Sequence, residues 1–317
     1  MYDLAIIGGG PAGVSAGVYA ARKRLKTLFI AETIGGQSTD SVGIENWIGT
    51  EKISGLDLAK TLGIHLKAYA GDVVDLKIGE RATEVTKVAN AFTVTTSKGA
   101  YEARAVLVAT GGVRRKLGVP GALEFENKGL TYCASCDGPL FSGQDVVVVG
   151  GGNAGFESAA QLLAYCKSVT LVHRNSDFAK ADAATVEAVL AHPNMHTLTN
   201  TEPVEVKGSA HGFVSSIVVK NNKTNETSEV ACGGIFVETG MIPATDFVKD
   251  LFPLDQFGRV VVNAKNQRVL SGNAEVPGVW AAGDCTDELY HQNNIAAGDG
   301  VKALEDIYVY LKTQKSE

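Results

Sequence analysis

Short apolar runs fill Asp3–Ile7 and Thr27–Ala31, and neither shows the alternation of a half-exposed strand. Runs of this length read as strands buried on both faces. Between them, Val14 to about Lys23 has helical spacing. Strand, helix and strand in this order predict a βαβ unit and a parallel sheet. The succession returns at Asp145–Val149, at about Phe156 to Tyr165 and at Ser168–His173, so one architecture occurs twice. Ala91–Thr96 and Tyr101–Arg104 alternate and predict antiparallel strands, followed by a buried strand at Ala105–Ala109. Val214–Lys220 and Ser228–Ala231, split by the turn-like Asn221–Glu226, predict a second antiparallel set. Ile235–Glu238 and Val279–Ala282 read as buried strands, and about Ile295 to Leu311 as a closing helix.

Two of these strands end alike, in Thr110-Gly111-Gly112 and in Thr239-Gly240. They mark the expected crossings between domains. The expected fold is α/β, with two Rossmann-like domains, the second inserted into the first. Residues 1–112 and 245–317 build one domain and residues 113–244 the other. Each is expected to carry a parallel sheet and a small antiparallel sheet in three layers.

The turns between strand and helix carry the chemistry. Gly8-x-Gly10-x-x-Gly13 follows a strand and opens a helix. Gly8 permits the tight turn, Gly10 lets a pyrophosphate approach the backbone, and Gly13 allows close helix–strand packing. The phosphates then meet a helix N-terminus. Glu32, 19 residues after Gly13, ends the next strand and suits a ribose diol. Gly150-x-Gly152-x-x-Gly155 is placed equally well. Its following strand ends in His173-Arg174-Asn175. A cation there favours a 2′-phosphate, so Arg174 and Lys180 point to NADP unless both are plain surface charges. Asp284, after Gly283 and an apolar strand, suits a polyol chain such as the ribityl of a flavin.

Cys133-x-x-Cys136 ends 14 positions before Gly150. The pair can close a disulfide, and a zinc half-site or an inert pair are the other readings. Zinc needs further close ligands, and no second such pair exists in the sequence, so no metal is expected. Asp137 follows directly, placed to serve as a general acid for thiol–disulfide exchange or as a helix cap. The remaining cysteines, Cys166, Cys232 and Cys285, lie among apolar or glycine-rich neighbours and read as buried thiols.

Glycine is abundant, 36 of 317 residues against roughly 7% in an average protein, and clusters at these turns. Net charge is −6 without any basic run, which argues against nucleic acid and against an anionic membrane surface. No apolar run reaches the roughly 18 residues of a membrane helix. A strand starting at Asp3 leaves no room for a signal peptide, so a cytoplasmic protein is expected.

With these residues in hand, the chain resembles the low-molecular-weight thioredoxin reductases. It is also similar to the C-terminal reductase portion of the alkyl hydroperoxide reductase flavoprotein. The resemblance covers essentially all of the chain. It rests on Gly8–Gly13, Gly35-Gly36-Gln37, Ile44-Glu45-Asn46, Ala109-Thr110-Gly111, Cys133–Gly138, Gly150–Asn153 and Ala282–Cys285, in the family's order. It implies FAD in the first domain, NADPH in the second, a homodimer, and thioredoxin or a thioredoxin-like protein as partner. By the same resemblance Cys136 faces the flavin, Cys133 attacks the partner's disulfide and Asp137 handles protons. Gln37, Asn46, Asp284 and Gln292 contact FAD, with Thr110 beside them. The resemblance further implies that one domain rotates against the other between half-reactions.

The departures bear on the electron donor. Asn175 and Ala179 stand where arginines are expected to hold a 2′-phosphate, and Lys180 lacks a guanidinium's fork. NADH and reduced ferredoxin therefore remain as donors beside NADPH. Tyr290-His291-Gln292-Asn293 also differs from the family's usual Arg-Gln-Ala at the flavin. Three rivals share these motifs. One is a reductase of a peroxidase system, for which an N-terminal thioredoxin-like domain is expected and a chain starting at the flavin strand is not. The others are a dithiol oxidase passing electrons to oxygen and a non-catalytic redox sensor.

Overall fold

A computed structural model describes residues 1–179 and 181–313. The chain forms two compact units, Met1–Val113 with Ile242–Glu317, and Arg114–Met241.

The first unit is built on an eight-stranded sheet. Its path runs Arg268–Ser271, Ala274–Ala281, Ala100–Val108, Tyr2–Ile7, Thr27–Ala31 and Val74–Ile78. Tyr2–Ile7 lies between Thr27–Ala31 and Ala100–Val108 and pairs with both in parallel. Its side chains alternate between two cores, as strand geometry requires. Leu4 and Ile6 pack with Ala16, Ala20, Leu304 and Ile307 of the helices on one face. Ala5 and Ile7 pack with Phe92, Val94 and Val260 on the other. Both faces are dry, so the strand reads as an apolar run. The helices Pro11–Arg22 and Asn293–Thr313 cover the first face.

The sequence split 101–109 into two strands, and here the structure corrects it. Ala100–Val108 is one continuous strand. Its first half pairs antiparallel with Ala91–Thr96, and its second half carries the parallel ladder. The change from alternating to fully apolar marks where half-exposed strand becomes buried strand, not a break. A helix at Gly55–Ala70 was not foreseen. Ser54 caps it, accepting from the Asp57 N–H at 3.1 Å, and Leu58, Leu62, Leu66 and Ala70 form its inward stripe.

The second unit repeats the plan. Five parallel strands run Met195–Leu198, Ser168–Val172, Asp145–Val149, Gly234–Val237 and Leu130–Thr131. Val146, Val148 and Phe236 meet Phe156, Ala159 and Leu162 of the helix Asn153–Leu162. Val147, Val149 and Val237 face Ile217 and Val219 of an antiparallel sheet, Thr201–Gly208, Val214–Asn221 and Thr227–Ala231. Among the described residues, no helix is long and apolar enough to cross a membrane.

Candidate redox and dinucleotide site

Each unit presents one glycine cradle at the carboxyl end of its central strand, where an open α/β sheet binds ligands. Gly8 has φ +126°, and a Cβ there would lie 2.1 Å from the Ala109 carbonyl oxygen. A Cβ on Gly13 would lie 1.9 Å from the Gly8 carbonyl oxygen. Gly10 differs, because a Cβ there would meet nothing within 4 Å. No side chain caps the helix that Gly10 opens. Backbone N–H groups of the first turn are thus left to an anion from outside. The second cradle is a near copy. Gly150 has φ +126°, its Cβ would lie 2.2 Å from the Glu238 carbonyl oxygen, and that of Gly155 1.9 Å from the Gly150 oxygen. Gly152 again meets nothing and opens a helix with no side-chain cap.

Around the first cradle the structure gathers the other expected residues. Glu32 is exposed at the end of its strand, with Arg81 Nε at 3.3 Å. Gln37 sits in the single turn Gly36–Asp40, which the Gly35 N–H ties to the Gly9 carbonyl at 2.8 Å. Asn46 Nδ2 donates to Gln292 Oε1 at 2.9 Å across 246 residues. Ser38 donates to Asn293 Oδ1 at 2.8 Å, and Asn294 Nδ2 to the Asn46 carbonyl at 2.6 Å. Thr110 is engaged differently, its hydroxyl donating to the Ala244 carbonyl at 2.7 Å. Asp284 follows Gly283, whose Cβ would touch Ala12 and Ala296 at 3.2 Å, beside the mouths of both helices. Its carboxylate has no hydrogen bond among the described residues.

In the second unit Cys133 and Cys136 are joined as a disulfide, with Cα atoms 5.3 Å apart. Cys133 opens the short turn Ala134–Asp137, its sulfur accepting from the Cys136 N–H at 3.2 Å. Gln161 of the cradle's helix holds that turn. It accepts from the Ser135 hydroxyl at 3.0 Å and donates to the Ala134 carbonyl at 3.3 Å. Asp137 is half-buried. Burial pushes its carboxyl up, and the hydroxyl of Thr131, which donates to it, draws it partly back. Asp137 makes no capping hydrogen bond, so the cap reading is not realised. Cys166, Cys232 and Cys285 are buried free thiols. Burial pushes them to about 11, 12 and 11. They are protonated and inert at neutral pH.

Two dinucleotide cradles and one exchangeable disulfide match a known set. The model of the pyridine nucleotide-disulphide oxidoreductases matches residues 2–300. The chain belongs to this family. An alkyl hydroperoxide reductase subunit of Staphylococcus aureus (strain MSSA476) is 39% identical over 311 residues, covering 98% of this chain and 59% of that protein. The chain therefore spans a little over half the length of such relatives. A thioredoxin reductase from Streptococcus pyogenes MGAS5005 matches with TM-score 0.86 and 34% identity over 99% of both chains. One from Giardia duodenalis matches with TM-score 0.89 and 31% identity, over 98% of this chain and 99% of that one. The fold is the two-domain FAD/NAD(P) Rossmann fold of these oxidoreductases.

Within that family frame, Asp177 and Glu238 are carboxylates that the sequence did not point to, and they lie among the residues it did. Arg174 is exposed and forms no ion pair among the described residues. Lys180 lies outside the described residues. Asp177, on the same loop, accepts from the Ala179 N–H at 3.2 Å. Glu238 is a buried carboxylate under the second cradle, and its signal was a charge closing an otherwise apolar strand. His291 Nε2 is buried without a hydrogen-bond partner among the described residues.

Proposed function

We propose that the chain is an FAD-dependent thioredoxin-disulfide reductase. In this reading it takes electrons from NADPH or NADH and delivers them through Cys133–Cys136 to a thioredoxin or thioredoxin-like protein. The observation that carries the reading is the disulfide hooked by Gln161 onto the helix of one dinucleotide cradle, with a second cradle in the same chain.

The residues present fit a flavin dinucleotide in the first unit. Gly10 leaves open backbone where a pyrophosphate lies, Glu32 suits the ribose diol and Asp284 offers an unshared carboxylate to a polyol. Gln37, Asn46, Thr110 and Gln292 complete that set. Gly150, Gly152 and Gly155 hold the nicotinamide dinucleotide, with Arg174 on its adenosine side. FAD, when bound, accepts two electrons from the nicotinamide and makes them available to the disulfide.

The thiols then do the exchange. The Cys133 thiolate attacks the partner's disulfide, forming a mixed disulfide and expelling one partner thiolate. The Cys136 thiolate attacks the Cys133 sulfur, re-forming the internal disulfide and releasing the second partner thiolate. Asp137, held protonated more readily than an exposed aspartate, gives its proton to a departing thiolate. A homodimer is part of the reading on the resemblance alone, and a reducing compartment such as the cytoplasm is supported by the three buried free thiols.

A second reading, the NADH-dependent reductase of a peroxidase system, is favoured by Asp177 on the adenosine loop and by 39% identity to the hydroperoxide reductase relative. Anaerobic titration of the yellow protein with NADPH, NADH and reduced ferredoxin tests the donor. Bleaching of the flavin by NADPH, or by both nicotinamides, supports the first reading, and bleaching by NADH alone favours the second. Bleaching by ferredoxin alone removes both.

A further inference from the structure

The two cradles are copies, and one difference between them has a chemical use. Ala109 and Glu238 hold the same place. Their N–H groups donate to Ile7 and Val149 at 2.8 Å, and their carbonyls lie under Gly8 and Gly150. Counting from the glycines, Ala16 in the first helix corresponds to Ser158 in the second. In the first unit both positions are alanine and the site is closed. In the second unit a carboxylate and a hydroxyl stand there. Ser158 donates to Glu238 Oε1 at 2.7 Å, and Arg114 Nη1 lies 3.5 Å from Oε2. Glu238 is 9% exposed. The fold does not need this pair, since its twin does without it, and an ionised carboxylate at such depth is costly.

We propose that Glu238 is a positioning residue of the second cradle, and that its ionisation weakens the hold of Gly150–Gly155 on a dinucleotide pyrophosphate. The proposal rests on the reading of that cradle as a dinucleotide site. Ser158 stands six residues beyond Gly152, about 9 Å down the helix axis. At about 10 Å and an effective permittivity of about 20 to 40, one charge alters an anion's affinity roughly four- to fifteenfold. Arg114 offsets part of this, so roughly fivefold is expected. Burial pushes Glu238 up to about 7, against the pull of Arg114 and Ser158 and with a further push from Glu157. The change therefore falls in the neutral range. Besides Glu238, the cradle carries Glu157 on its helix and His173, whose ring a Cβ on Gly151 would meet at 2.6 Å.

The experiment is calorimetric binding of ADP-ribose to the flavin-loaded protein between about pH 6 and about pH 8. ADP-ribose carries the pyrophosphate and has no group of its own that titrates in this range. Wild type is expected to lose roughly fivefold in affinity as pH rises. Glu238→Gln is expected to keep the low-pH affinity throughout. Should that variant fold poorly, Glu238→Ala with Ser158→Ala reproduces the first unit's pair and is expected to be equally flat. Wild-type binding that is independent of pH overturns the proposal. So does a slope that survives in the variants, which assigns the effect to a group other than Glu238. Absence of ADP-ribose binding at every pH is a different result, and it removes the reading of the cradle itself.

Discussion

Two alanine substitutions two residues apart separate the fold's demand for glycine from the ligand's. Gly8→Ala places a methyl group 2.1 Å from a backbone oxygen at φ +126°, a conformation that side chains rarely adopt. The backbone strain is worth about 1–3 kcal/mol, and relief of the clash about as much again. Ala109 cannot yield freely, because its N–H is bound to Ile7 at 2.8 Å. A loss of about 4 kcal/mol is expected, or roughly 10 °C in Tm. Gly10→Ala places the same methyl where no protein atom lies within 4 Å. Its only cost to the protein is a poorer helix N-cap, below about 1 kcal/mol. Its cost to a bound pyrophosphate is direct, and flavin affinity is expected to fall at least about tenfold. The assay is urea unfolding of flavin-free protein, paired with the visible flavin absorbance of each variant after reconstitution. The reasoning is refuted if Gly10→Ala binds flavin as wild type does, or if Gly8→Ala is as stable as wild type.

Four further outcomes are expected. Cys133→Ser should keep flavin reduction by the nucleotide and lose reduction of the protein partner, and normal partner turnover would reject the assigned attack. Asp137→Asn should slow partner reduction about 10²-fold or more without changing flavin reduction. Thr131→Val, which removes the hydroxyl that draws the carboxyl down, should move the Asp137-dependent limb of the pH–rate profile upward. Glu238 binds its proton more tightly folded than unfolded, so the stability it contributes is full below its ordinary value near 4.5 and is lost as pH rises through about 7. Urea unfolding should show wild type losing on the order of 3 kcal/mol over that window relative to Glu238→Gln, and parallel curves would contradict it.

The parallel cores were legible because burial on both faces leaves no polar position in Tyr2–Ile7 or Asp145–Val149 beyond the first residues. The glycine cradles were legible because only glycine meets a carbonyl at 2.1 Å with φ +126°. The helix Gly55–Ala70 was missed although Ser54 and the stripe from Leu58 to Ala70 announce it, because exposed Leu56 and Ile64 blur the apolar face. The strand Ala100–Val108 was divided because its two halves serve different neighbours. The tie between Asn46 and Gln292 spans 246 residues, and no local pattern records such a pairing. Glu238 had a visible sign, but its role depends on Ser158 and Arg114, which reach it only in the fold.

The most direct measurement is a count of thiols. Oxidised wild-type protein, loaded with flavin, is treated anaerobically with one equivalent of NADPH or NADH and alkylated, and the labelled cysteines are located by mass spectrometry. Label appearing at Cys133 and Cys136 together, with Cys166, Cys232 and Cys285 untouched, is the predicted result. Consumption of the nucleotide with Cys133 and Cys136 still bonded to each other would contradict the account.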